Sequence, residues 1–382
     1  MGWTTVRLGW RDQKGEAVQV APLCHASTAP DPKITNEEWS IEVKSGAVCI
    51  QRHGENVFGN RKNLEIRLVD DPWGSWGGMN EERDSYQLND LREVWKLERS
   101  EVLESGPLRA KLWTRWSGKN SWLDLTFSVA AGTPWLKVDG RLLWNERSAR
   151  LKMVFPCRGR LKYQVPGGNI VRDSVEGQVS GGRWVVRSNG RETLGLASDV
   201  LGDFDANDDE LRVTLARASR YANDVKTSMS EKIWQPATDC GELKFQLCLF
   251  GEGPQPDHVA DALLYPPATL TTPATKGPWP RHGGLANLSP SSMRLLSLDH
   301  STADQLRARV QNGGTKTAEA VLRLGENRLS LGRLEPEEIQ TFLLKKDASR
   351  EGRWICKNPV PNPSGTQSVN DRRAEQAVAE KV

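Results

Sequence analysis

The feature that most constrains this chain is alternation with period two. Apolar and polar residues exchange places along run after run, the pattern of a strand with one face in a core and the other in water. Leu108, Ala110, Leu112, Thr114 and Trp116 fall on one face of one run, and Leu123, Leu125, Phe127 and Val129 on one face of the next. Ser117-Gly118-Lys119-Asn120 between them supplies turn residues, so the two runs predict an antiparallel hairpin. Trp39, Ile41 and Val43 turn through Ser45-Gly46, and Trp184 to Arg187 turn at Asn189-Gly190. Leu211, Val213 and Leu215 make a further strand, as do Leu243, Phe245, Leu247 and Leu249. Helical periodicity is nearly absent. Such strands, separated by Gly, Asn and Asp turns, predict an all-β chain built on a large antiparallel sandwich.

Composition changes after Leu264. Pro266, Pro267, Pro273, Pro278 and Pro280 crowd a segment also rich in Thr and Gly, which predicts a linker over 265–290. Leu306, Ala308 and Val310, then Ala320 to Leu324, Leu329 to Leu331 and Ile339 to Leu344, give short strands for a small second β-sandwich over 291–346. The tail, 347–382, holds too little apolar surface to offset the entropy of ordering and is expected to be disordered, with a frayed helix from Arg372 to Lys381. The large sandwich is assigned to 1–264.

The chain has 382 residues, enough for two to three domains. Its 52 Lys and Arg face 49 Asp and Glu, without a basic run that could track phosphates, so nucleic acid is excluded as a partner. Apolar stretches such as Phe245 to Phe250 are far short of the ~20 residues that span a bilayer, so no membrane partner is expected. Met1-Gly2-Trp3-Thr4-Thr5-Val6-Arg7-Leu8 reads as a strand rather than a signal peptide, which leaves the location as cytoplasmic or unknown. Cys24, Cys49, Cys157, Cys240, Cys248 and Cys356 fit no disulfide or zinc framework and are expected reduced and mostly buried. His25, His53, His258, His282 and His300 have no partner at metal-ligand spacing and are placed on loops or in the linker, so no metal site is predicted. Fifteen Trp against 4 Tyr and 7 Phe fit either a β-rich core or stacking surfaces for flat ligands.

A series of phrases in fixed order resembles the C-terminal half of glycoside hydrolase family 38, the retaining α-mannosidases. Gly2-Trp3-Thr4-Thr5-Val6-Arg7-Leu8 is similar to the strand that opens the family's β region, and Asn36-Glu37-Glu38-Trp39 to the start of the next. Gly106-Pro107-Leu108-Arg109-Ala110, Val138-Asp139 through Trp144-Asn145-Glu146, Leu151-Lys152 and Phe155-Pro156 follow in the family's order. Val165-Pro166-Gly167-Gly168 with Arg172 and Arg183-Trp184-Val185 come next, then Leu215 to Tyr221 and finally Pro336 to Phe342. The resemblance covers roughly 1–346. It implies the family's super-sandwich, a fold also similar to galactose mutarotases, followed by a small β domain. It also implies that the family's zinc and aspartate nucleophile belong to a preceding α/β barrel, for which nothing before Met1 remains. No catalytic residue, metal ligand or cofactor is therefore expected in this chain.

The loop Asp70-Asp71-Pro72-Trp73-Gly74-Ser75-Trp76-Gly77-Gly78 resembles a family loop near the mouth of the barrel's active site, with Gly74-Ser75 where Asp-Ala is usual. Asp71, Trp73, Trp76 and Arg217 are accordingly the candidates for contact with carbohydrate or with the barrel. Packing within the loop is the plain alternative for the two indoles, and a surface ion pair the plain alternative for Arg217 and Arg172. Asp203-Phe204-Asp205-Ala206-Asn207 invites a calcium reading, but Asp208 stands where an EF-hand needs Gly and Thr214 where it needs Glu, so a solvated turn is expected. Asp139 with Glu146, and Glu81, Glu82 with Asp84, are carboxylate neighbours of the kind chance produces. Three readings follow: the β part of an α-mannosidase that contacts an α-mannoside, a free-standing carbohydrate-binding module that pairs with a separate barrel polypeptide, and a mutarotase-like enzyme. The mutarotase reading is disfavoured by the absence of a His in any predicted strand.

Overall fold

The computed structural model describes residues 2–4, 23–28, 30–59, 63–71, 90–172, 175–199, 202–219, 237–271, 282–347 and 354–357. These are almost entirely strands in antiparallel sheets, as the alternation predicts. They divide into two units, Gly15–Thr269 and a second composed of Met1–Lys14 with Leu270–Val382.

The larger unit holds three sheets. A nine-stranded sheet runs in the order Gly168–Arg172, Arg160–Val165, Trp184–Ser188, Thr193–Ser198, Gly241–Phe250, Trp135–Trp144, Trp122–Ala130, Arg109–Ser117 and Lys96–Ser105. A six-stranded sheet runs Val175–Ser180, Asp203–Ala206, Glu210–Ala218, Ala149–Pro156, Glu65–Asp70 and Leu91–Val94. A five-stranded meander runs from His25–Ser27 to Glu55–Asn56. One core joins all three: Ile41 and Ile50 from the meander, Leu125 and Leu247 from the large sheet, and Leu151 and Val213 from the six-stranded sheet are all buried in it.

Local chemistry accounts for the predicted hairpins. Ala110, Leu112, Thr114 and Trp116 are buried, and their strand pairs with Trp122–Ala130 in a register that sets Ser117 opposite Trp122. Leu108, placed on the same face by the alternation, lies before the strand and is exposed. The Ser45-Gly46 turn has positive φ at both positions, the geometry whose twist matches a two-residue hairpin and which Gly adopts without strain. Asn36 accepts the Trp39 amide at 2.7 Å and donates to the Ala130 carbonyl at 2.8 Å, so the Asn-Glu-Glu-Trp phrase starts a strand and ties the meander to the large sheet.

A helix, Pro256–Leu264, is the one helix among the described residues, and the alternation gave no sign of it. Pro256 suits a first helical turn. Val259 and Ala260 pack against Trp184, Ala197, Cys248 and Phe250 on the outer face of the nine-stranded sheet. Asp257 accepts from the Trp184 indole at 3.0 Å and the Gln164 amide at 3.0 Å, which fixes the helix on that face.

The second unit departs from the expected boundaries at three places, each because backbone pairing reaches beyond the apolar pattern. Gly2–Thr4 pairs with His282–Gly284, so the first residues belong here and not with the large sandwich. Ala286–Ser289, expected in the linker, pairs with Ala318–Leu324. Trp354–Lys357, expected in a disordered tail, pairs with Ile339–Lys346. A three-stranded and a four-stranded sheet enclose a core that includes Ala308, Val310, Leu322, Leu334, Phe342 and Leu344. Residues 272–281 of the predicted linker and the tail helix lie outside the described residues.

Candidate functional site

Glu65–Asp70 lies next to the central strand Ala149–Pro156, whose eight residues are all buried, and Asp71 follows directly at its end. One face of that central strand, with Leu151, Met153 and Phe155, points into the core. The other carries Arg150 and Lys152, also buried, and the adjacent strand sets Arg217 opposite Arg150 and Thr214 opposite Lys152. A polar sheet face so far from water needs its charges paired, because an unpaired buried ion costs several kcal/mol (roughly) after relaxation.

The structure brings Asp71 and Arg217, two of the four sequence candidates, into direct contact. Asp71 is fully buried. Its Oδ2 accepts from Arg150 Nε at 2.8 Å and from Arg217 Nε, while Oδ1 accepts from Arg217 Nη2 at 3.3 Å. Its own amide donates to the Ser148 carbonyl at 2.9 Å. Asp70 beside it takes Arg92 Nε at 2.7 Å, and Arg92 also donates to the carbonyls of Arg147 and Ser148. Arg217 thus pairs with a buried carboxylate, a partner 146 residues away that the pattern of its own strand could not reveal. Trp73 and Trp76 lie outside the described residues, as do Glu81, Glu82 and Asp84.

A second cluster lies on the same face. Lys152 Nζ donates to Asp205 Oδ2 at 2.6 Å, both side chains being wholly enclosed, and Gln178 and Arg212 donate to the same carboxylate. Burial outweighs the attraction of Asp205 and pushes the Lys152 ammonium down to about 8. Further along, Arg67 forks onto Glu210 with two bonds of 2.8 Å. From the sequence, Asp205 falls in a solvated turn and Lys152 has no role beyond its place in a family phrase.

The segment weighed for calcium is a strand, a turn and a strand. Asn207 Oδ1 accepts the amides of Asp209 at 3.0 Å and Glu210 at 2.9 Å, an Asx turn, and Asp205 is committed to Lys152. Glu146 is buried and bonded to Ser121 Oγ at 2.8 Å and Asn120 Nδ2 at 3.2 Å, whereas Asp139 sits on the outer face of the large sheet against Gln246. The exposed Arg172 lies with its guanidinium 5.9 Å from the Tyr163 ring. His25, His282 and His300 lie in strands and His258 in the helix, not in loops as the sequence suggested. Among the described residues no three His, Cys, Asp or Glu side chains gather as a metal donor set. None of the six cysteines is in a disulfide; Cys24, Cys157 and Cys248 are buried and Cys240 is exposed. No described helix is long and apolar enough to cross a membrane.

Comparison with known proteins bears on this charged face directly. Residues 43–225 match the family model for the glycosyl hydrolases family 38 C-terminal domain. The chain carries a glycosyl hydrolase family 38 C-terminal domain. That family 38 domain contains every strand of the six-stranded sheet and both charge clusters. Among solved structures, an alpha-mannosidase from Enterococcus faecalis V583 aligns with a TM-score of 0.67 at 12% identity, over 83% of this chain and 42% of its own. A glycosyl hydrolase family 38 protein from Enterococcus faecalis aligns with a TM-score of 0.68 at 13% identity, over 86% of this chain and 45% of its own. The likeness is one of fold, and the chain spans less than half the length of either protein. Comparison with curated proteins gives no significant match.

Proposed function

We propose that this chain is the C-terminal β part of an α-mannosidase-like glycoside hydrolase, contacting carbohydrate beside a zinc-dependent barrel and not hydrolysing α-mannosides alone. The observation that carries the reading is the family 38 domain match over 43–225, within which Asp71 is locked between Arg150 and Arg217. That lock fixes the residue from which the segment with Trp73 and Trp76 departs. A side chain held by two guanidinium groups is preorganised for a supporting role, and one with no exposure does not itself meet a sugar. The barrel, on the same polypeptide or a separate one, would supply the metal and the nucleophile. Contact without transition-state stabilisation lowers no barrier, so binding is expected without turnover.

The test is to purify the chain, measure its metal content, and assay an activated aryl α-mannoside with and without zinc or cobalt. The expected result is no stoichiometric metal and no turnover. Turnover by the chain alone, abolished by replacing one of its own carboxylates, would overturn the proposal.

A further inference from the structure

The outer face of the nine-stranded sheet is covered at one end by the helix Pro256–Leu264, over Cys248 and Phe250. Two residues earlier on the same strand and face, at Gln246 and Lys244, the cover ends and an open groove of about 520 Å³ begins. Its size lies within the roughly 300–1,000 Å³ usual for small-molecule sites. Trp113, Thr126, Asp139 and Gln246 are successive cross-strand neighbours and form one row along its floor. Four strands at ~4.8 Å spacing give that row a length of roughly 14 Å, the scale of an extended chain of linked rings rather than of an ion.

The row is built and held. The guanidinium of Arg115 lies 5.4 Å from the Trp113 ring centroid and 4.4 Å from that of Trp122, within cation–π range of both. The same guanidinium forks onto Asp124 at 2.7 and 2.8 Å, so the indole of Trp113 is fixed before any ligand arrives. Gln246 donates to Asp139 Oδ1 at 2.7 Å and its amide to Asp199 Oδ1 at 2.7 Å, orienting two carboxylates toward one end of the row. The cations lining the groove, Arg141 and Lys244, are engaged with Glu242, and Asp139 takes Lys137 from beside it. Charges that balance one another favour neither an anionic nor a cationic ligand. What remains is a half-buried indole beside oriented donors and acceptors, complementary to a neutral polyhydroxylated ring with one apolar face.

We infer that this groove is a binding site for a neutral oligosaccharide, with Trp113 stacking against a pyranose and Asp139 and Gln246 bonding its hydroxyls. That the oligosaccharide is a mannoside is part of this inference and rests on the function proposed above. The test is native electrophoresis of the full chain through gels containing soluble yeast mannan. The wild type is expected to be retarded, and Trp113→Ala and Asp139→Ala each to weaken retention by roughly 10-fold or more, the order expected for loss of a ring stack or an oriented bond. Trp113→Phe, which keeps a ring, should retain part of it, and Asp139→Ala changes a half-exposed side chain, so one variant stays folded if another does not. A wild type that mannan does not retard, or folded Trp113→Ala and Asp139→Ala variants retarded like the wild type, would overturn the groove. Retarded variants leave the α-mannosidase-like reading standing with its carbohydrate contact elsewhere, whereas a wild type that is not retarded removes that contact but not the domain match over 43–225 or the outcome of the turnover and metal measurements.

Discussion

Lys152 shows how far a single residue can depart from its usual behaviour when the fold encloses it. Burial is the main reason its ammonium is held at about 8 against an ordinary 10.5, with Asp205 opposing the shift and Arg212 and Arg150 adding to it. Between those two pH values the unfolded chain keeps a proton that the folded chain has released. The unfolded state then binds more protons, and stability rises with pH across that window. The penalty of the buried charge is present below about 8 and relieved above it. Urea midpoints of the wild type and Lys152→Met at pH 7, 9 and 10.5 isolate the effect, because other titrating groups are common to both proteins. The difference should move in favour of the wild type as pH rises; a gap that stays flat or moves the other way refutes the assignment.

At the scale of elements, the strand Gly241–Phe250 is built around two aromatic–glycine partnerships, one on each face of the sheet. Gly140 pairs with Phe245 on the core side and Gly195 with Phe250 under the helix. Each ring occupies the place of the missing side chain, and a Cβ on either glycine would stand 2.2 Å from it. Gly140→Ala should therefore destabilise the protein by about 1–3 kcal/mol through overpacking, read from the urea midpoint; an unchanged midpoint would show that Phe245 swings aside freely. These partnerships were illegible in the sequence, where Gly140 and Gly195 look like weak points in strands. Half-buried strands such as Arg109–Ser117 were legible because one face is wet and the other dry. Ala149–Pro156 was not, since both of its faces are buried and the charges of Arg150 and Lys152 mark no wet face. The candidate site was half legible: the family phrases pointed to Asp71 and Arg217, but their contact joins strands that only the folded sheet sets side by side. The helix Pro256–Leu264 is nine residues long, too short for its period to stand out.

For the molecule as a whole, the division into two units predicts how damage at one end is felt. Removing residues 1–14 takes away the strand that pairs with His282–Gly284. The backbone amides of that strand should lose hydrogen-exchange protection, while those of Ile66 and Val154 in the larger unit keep theirs. Equal loss in both units would mean that they unfold as one.

The same pairing has a consequence for the order of events at the ribosome. Gly2 meets Gly284, so about 280 residues must be translated between one half of this ladder and the other. At ~5–20 residues per second that is a wait of roughly 15 to 55 s. The larger unit, whose strands are contained in 15–269, can close within that interval. A strand made some 280 residues ahead of its partner is therefore among the last to be placed, and its brevity, three residues, limits its use as a template for pairing with a neighbouring nascent chain while it waits.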